Sequence, residues 1–253
     1  MTKEFKNLVS LLKSPIKANR DLGIVLAQNY QTEFKAYFGY EAAFMAFLSM
    51  DKKYCFKTPL NELNTLNFQF EAISSIPADI SLLKNLTWLC FVSSLFEVFP
   101  PEIPQLTNLK TLCFSYNKIK ILPPEIGKLQ ELERLAIHKN QLQSLPKEIG
   151  QLQNLNLLFL VSNNLTYLPS EIGNLQQLKD LSLTNNQLQN LPKELGNLHN
   201  LEKLSLENNQ LKSLPKELAQ IKTLKKISIQ GNPKNIISPD ELRHIIDIGN
   251  GLI

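Results

Sequence analysis

Residues Leu178-Lys-Asp-Leu181-Ser-Leu183-Thr-Asn-Asn186-Gln-Leu188 decide how this chain folds. The same pattern, L-x-x-L-x-L-x-x-N-x-L or a close variant, returns every 23 residues, eight times, without an insertion. Its first leucines are Leu63, Leu86, Leu109, Leu132, Leu155, Leu178, Leu201 and Leu224. A second beat runs in phase, with Pro77, Pro100, Pro123, Pro146, Pro169, Pro192 and Pro215 at the same spacing. A fixed period of roughly 20–29 residues with this leucine and asparagine pattern marks a solenoid, in which each unit stacks on the one before. Residues far apart in sequence then become neighbours on one face.

Within each unit the segment L-x-x-L-x-L predicts a short parallel strand with its leucines inward and the intervening side chains on the concave face. Asn117, Asn140, Asn163, Asn186, Asn209 and Asn232 fall where the chain leaves the strand. There an asparagine side chain can satisfy buried turn backbone that no strand partner reaches. Glu71 and Ser94 replace it in the first two units, so that end is expected to be less regular. The other half reads L-P-x-E-I-G-x-L, as in Leu145-Pro-Lys-Glu-Ile-Gly-Gln-Leu152. Proline starts a short helical turn, glutamate suits its positive end, and Ile and Leu anchor it inside. The expected fold class is α/β, a curved right-handed stack of parallel strands with short helical turns on the convex side and helical caps.

Three regions follow. Residues 1–60 do not keep the period and predict capping helices, one from Thr2 or Lys3, one from Ser14-Pro15 and one from Thr32-Glu33. They hold ten of the chain's twenty aromatic residues and would cover the open end of the leucine core, as terminal units of such arrays do. Residues 61–237 are the eight repeats. Residues 238–253 open on Ser238-Pro239-Asp-Glu, a serine cap with an acidic first turn, and predict a C-terminal capping helix.

Composition narrows the function. The net charge of +4 sits in residues 1–60, with nine Lys/Arg against five Asp/Glu, while the remainder carries eighteen of each. No basic run tracks a phosphate backbone, so nucleic acid is not the expected partner. The N-terminus has charges threaded through it and no apolar core, which argues against a signal peptide. Ala36–Met50 is too short and too interrupted, with Glu41 inside it, to span a bilayer. Cys55, Cys90 and Cys113 cannot all pair, so free thiols in a reducing compartment are expected. The expected location is cytoplasmic, with export as an effector by a non-classical route as the alternative.

The L-P-x-E-I-G signature over residues 63–237 resembles the 23-residue leucine-rich-repeat families. These include repeat proteins of spirochaetes and Bacteroidetes and the Ras-suppressor-like intracellular repeats of eukaryotes. The near-identity of repeats four to seven is most similar to the bacterial group. The resemblance implies protein–protein recognition on the concave face and no shared chemistry. Some secreted bacterial relatives carry a ubiquitin-ligase domain after the repeats; with only residues 238–253 beyond them, that activity is not expected here.

The concave positions localise a candidate site. Solvent-facing strand positions should be polar, yet Trp88 and Val92 stand in the second repeat and Leu157, Phe159 and Val161 in the fifth. Tyr116 lies one step along its turn, and Arg134 and His138 fall between. An apolar zone with an aromatic anchor and polar surroundings is the composition of an interaction hot spot. Two plainer readings stand beside it: these side chains pack on one another or on the N-terminal helices, or the repeats have drifted there without function. The strip Ser182, Ser205 and Ser228, flanked by Asp180, Lys203 and Lys226 and by Thr184, Glu207 and Gln230, reads as a solvated face or polar rim.

Cys90, Cys113 and His138 invite a metal or nucleophile reading, but a closed zinc site needs four ligands and the sequence offers no fourth. A Cys–His dyad would need an orienting group and an oxyanion donor, and neither is evident. No phosphate-loop, zinc-protease or hydrolase-elbow motif occurs. The sequence therefore predicts a non-enzymatic recognition protein without cofactor or metal, monomeric or weakly dimeric, binding a protein or peptide on its concave face. The alternatives are a regulatory scaffold docking through the aromatic N-terminal helices and a bacterial effector binding host proteins.

Overall fold

A computed structural model describes residues 64–69, 76, 80, 81, 83–92, 94, 96–233, 240, 242, 246 and 247 of the chain. The expected capping helices of residues 1–60 lie outside the described residues.

Each repeat contributes one strand to a single parallel sheet in sequence order. The strands are β1 (Thr65–Gln69), β2 (Trp88–Val92), β3 (Thr111–Cys113), β4 (Arg134–Ala136), β5 (Leu157–Phe159), β6 (Asp180–Ser182), β7 (Lys203–Ser205) and β8 (Lys226–Ser228). Register follows the period, so Leu112, Leu135, Leu158, Leu181 and Leu204 are successive partners. The leucine ladder is what aligns the strands. Slipping any strand by one residue would turn its leucine outward and a polar side chain into the core.

Inside, each repeat buries the same set. In the fourth these are Leu132, Leu135, Ile137, Leu142, Leu145, Ile149 and Leu152, all within 3% of full burial. Each fully buried leucine or isoleucine contributes about 1.5–3 kcal/mol of transfer free energy. Towards β2 the core turns aromatic: Phe91, Phe96, Phe99 and Phe114 pack with ring centroids 5.0–5.3 Å apart. Phe91–Phe96 and Phe96–Phe114 meet edge to face, the arrangement favoured by the ring quadrupole.

The convex turns are 3-10 rather than α-helical, for example Lys147–Gln151 and Ser170–Asn174. In these two turns the proline is not the first helical residue. Pro146 and Pro169 are extended, and their carbonyls accept the first bonds, from Ile149 N and Ile172 N. The sequence reading had proline inside the turn; it stands one step ahead of it, where its fixed φ suits extended backbone and its missing N–H costs nothing.

At the far end Asp240 and Leu242 are in 3-10 conformation, and most of residues 238–253, where a capping helix is expected, lie outside the described residues. Ile246–Asp247 form a ninth strand, β9, paired parallel to β8 through Ile227↔Ile246 and Ser228↔Asp247. β9 thereby pairs backbone that would otherwise form an open sheet edge at β8. Leu242 packs into the core beside it.

Candidate functional site

The outward strand positions form three rows across the sheet. The first runs Thr65, Trp88, Thr111, Arg134, Leu157, Asp180, Lys203, Lys226, and the second Asn67, Cys90, Cys113, Ala136, Phe159, Ser182, Ser205, Ser228. The third leaves the strands as Ser115, His138, Val161, Thr184, Glu207 and Gln230. Its backbone is continued by bonds such as Tyr116 N to His138 O and Lys139 N to Val161 O, 3.0 and 2.7 Å.

Trp88 is 41% exposed and Tyr116 45% exposed, both large values for aromatic side chains. Arg134 is exposed; Val92, His138, Leu157, Phe159 and Val161 are half-buried. Leu157, Phe159 and Val161 share one strand and its exit. Trp88 stands three strands away, roughly 14 Å at the usual strand spacing. Between them lie the short side chains Thr111, Cys113 and Ala136, together with the longer Arg134 and His138. The eight candidate residues therefore share one stretch of the concave face, a trough for short, with Trp88 at one side, Leu157 and Phe159 at the other and Arg134 and His138 between.

Several positions read as outward are covered. Cys90 (7%), Thr111 (8%), Ser115 (0%) and Ser228 (6%) are buried. The cause is side-chain length: a short side chain on a curved sheet sits below taller neighbours. Thr111 lies between Trp88 and Arg134, and Ser115 is held by two partners.

Those partners connect residues that the spacing alone left separate. Cys113 Sγ lies 3.2 Å from Ser115 Oγ, and Ser115 Oγ lies 3.0 Å from His138 Nδ1. The His138 ring meets Tyr116 edge to face at 5.5 Å, and the Lys139 ammonium sits 4.4 Å over the Tyr116 ring. Lys139 was missed in sequence because a lysine in a turn reads as an ordinary solvated residue, whereas the aromatic ring drew attention to Tyr116 at the same position one repeat earlier. Its backbone is left-handed (φ 52°), like Tyr116 (58°) before it, which swings both side chains back over the concave face.

The electrostatics follow from burial. Burial lowers the His138 pKa, helped by the Lys139 charge, so the ring is biased towards its neutral form. Hydrogen bonding from the Cys90 thiol and from Ser115 pulls Cys113 down to about 6, against the opposing cost of its burial. Cys90 moves the other way, pushed up by its bond to Cys113 and by burial. Asp180, beside Leu157, is raised by burial, partly offset by Lys203. Among the described residues no group of three or more His, Cys, Asp or Glu is placed to hold a metal ion. No described helix is long and apolar enough to cross a membrane.

Behind the face, the asparagines tie repeat to repeat. Asn163 Oδ1 accepts from Leu142 N at 3.0 Å, while its amide donates to Ile137 O (2.8 Å) and Leu160 O (3.1 Å). Asn117, Asn140, Asn186, Asn209 and Asn232 make the corresponding bonds. At the equivalent place Ser94 Oγ is buried without a partner. A hydroxyl is too short to bridge the distance an amide spans.

Comparison with known proteins agrees with this architecture. Residues 100–186 match the model of a leucine-rich repeat region, and residues 176–233 that of a leucine rich repeat. No curated protein matches the chain. Among solved structures, an LRR protein of Leptospira interrogans is 40% identical, covering 75% of this chain and 50% of its own, with a TM-score of 0.70. An internalin of Listeria monocytogenes is 28% identical over 67% of this chain and 48% of its own, at a TM-score of 0.59. The structure of PEPR1-AtPEP1 is 32% identical over 69% of this chain and 26% of that one, at 0.61. The chain thus spans about half the length, or less, of the structures it matches. Repeat domains of this kind generally mediate protein–protein interaction. By its 23-residue period, its leucine-lined parallel sheet and these matches, the chain belongs to the leucine-rich-repeat family.

Proposed function

We propose that the protein is a non-enzymatic recognition module that binds a protein or peptide ligand in the trough between Trp88 and Phe159. The observation that carries this reading is the exposure of Trp88 and Tyr116 on a sheet face whose later strands are lined with serine, lysine and glutamate. Aromatic side chains left exposed beside a polar rim are enriched at interface centres, where each anchor is worth about 2–4 kcal/mol. Leu157, Phe159 and Val161 supply the opposite apolar wall, and Val92 extends the near one. Arg134 and Lys139 put positive charge beside it, so an apolar side chain flanked by a carboxylate is the ligand chemistry that fits.

The test compares capture from cell lysate by the intact protein and by a Trp88→Ser/Phe159→Ser variant. Both side chains lie outside the leucine core, so circular dichroism of the variant should match the parent. A ligand retained by the parent and weakened at least thirty-fold by the variant is the expected result, about 2 kcal/mol or more. Equal capture by both would remove the trough from the binding surface. A variant that no longer folds would make the patch part of the core.

A further inference from the structure

Cys90 and Cys113 are direct register partners on β2 and β3, in the middle row of the concave face. Neighbouring strands lie roughly 4.8 Å apart. A disulfide needs Cα atoms roughly 4.4–6.8 Å apart. Both side chains stand on the same side of the sheet, so the register brings the two Cα atoms within the range a bridge needs. The two cysteines differ in setting. Cys113 is half-buried and opens on the trough, whereas Cys90 is 7% exposed beneath it. Cys113 also has a polar partner: Ser115 Oγ, 3.2 Å away, which itself lies 3.0 Å from His138 Nδ1. The Ser115 hydroxyl has one proton. Donating it to a Cys113 thiolate leaves its oxygen free to accept from His138 Nδ1–H, so the relay supports negative charge on that sulfur.

We propose that Cys113 and Cys90 form a reversible dithiol–disulfide site, with Cys113 as the attacking thiolate and Cys90 as the resolving thiol. The substrate is a two-electron oxidant of the peroxide class. The Cys113 thiolate attacks one peroxide oxygen, the O–O bond breaks, and Cys113 becomes a sulfenic acid as hydroxide leaves. Cys90 sulfur then attacks Cys113 sulfur, the S–O bond breaks, and the Cys90 proton departs with the hydroxyl as water. Counting the proton that Cys113 released beforehand, two thiols and one peroxide give one disulfide and two waters. Each sulfur loses one electron. A small-molecule dithiol reverses the bond by exchange. The downward pull of the Cys90 and Ser115 hydrogen bonds on Cys113 supports its assignment as the attacking sulfur, since the thiolate is the nucleophile.

The test uses the full chain and hydrogen peroxide, read by peptide mapping under non-reducing conditions. The expected product is a Cys90–Cys113 linked peptide, lighter by two hydrogens and restored by dithiothreitol. Cys90→Ser should let a sulfenic acid accumulate on Cys113, trapped by dimedone, and Cys113→Ser should leave Cys90 reduced. Alkylation by iodoacetamide gives an independent readout. Cys113 should react roughly two-fold faster at pH 7 than an unperturbed thiol, and Ser115→Ala should move its pH profile upward. Oxidation that stops at Cys113 with Cys90 present, or that consumes Cys55 while the pair stays reduced, would overturn the proposal. So would equal alkylation of all three cysteines.

Discussion

A single asparagine per repeat holds more of this structure than its size implies. Asn163 satisfies one donor and two acceptors that lie off the strand ladder, all in buried backbone. Asn163→Ala leaves Leu142 N and Ile137 O without partners, while Leu160 O keeps the Asn186 amide, and each buried group left unpaired costs about 1–3 kcal/mol. Urea denaturation should therefore show a loss of about 2 kcal/mol or more. Asn163→Asp should be no milder, because a carboxylate keeps the acceptor and loses both donors. A loss below about 1 kcal/mol would mean that water replaces the side chain. Ser94 shows the native alternative, a hydroxyl that reaches nothing. Both facts were readable in the sequence, because an asparagine at a fixed offset, and a serine in its place, have fixed donor and acceptor counts. The cover over Cys90, Thr111 and Ser115 was not readable, since it depends on the height of side chains one repeat away.

Among the elements, the convex turns set how closely repeats approach. A Cβ on Gly173 would stand 2.3 Å from the carbonyl oxygen of Glu194 in the next turn, and one on Gly150 2.4 Å from that of Glu171. No real contact is that short, so Gly173→Ala must push two turns apart. A cost of about 1–3 kcal/mol is expected, measured as a shift in the urea midpoint. The same place in the last turn is Ala219, which is exposed, and Ala219→Gly should change stability by less than about 1 kcal/mol. Equal effects at the two sites would show that turn stacking does not limit the spacing. The glycine-to-alanine change thus marks the end of the array in the sequence itself. Strand positions were equally legible, because the L-x-x-L-x-L spacing places its leucines on the buried face of every strand. The strand at Ile246–Asp247 was not legible, because its pairing depends on the edge of β8 and not on local sequence signals.

For the molecule as a whole, every repeat meets only its neighbours, so length should be adjustable in whole units. Deleting Tyr167–Gln189, 23 residues, joins Thr166 to Asn190 in phase. That variant should keep its circular dichroism spectrum, with a urea m-value lower by roughly a tenth. Deleting 167–186 instead breaks the leucine and asparagine rows together and should abolish the fold. If both deletions behave alike, the period is not what holds the stack. The trough lies outside the deleted segment, so ligand capture should survive the first deletion.

The asparagine bonds also have a direction. Asn140 accepts from Ile119, 21 residues earlier, and donates to Phe114, 26 residues earlier; every rung from Asn117 to Asn232 reaches back in the same way. No repeat can complete its own turn. As the chain leaves the ribosome, each newly made repeat waits with its turn unfinished until the asparagine of the next one emerges. Synthesis from the N-terminus therefore closes the stack in the order in which it is read, one rung behind the growing end.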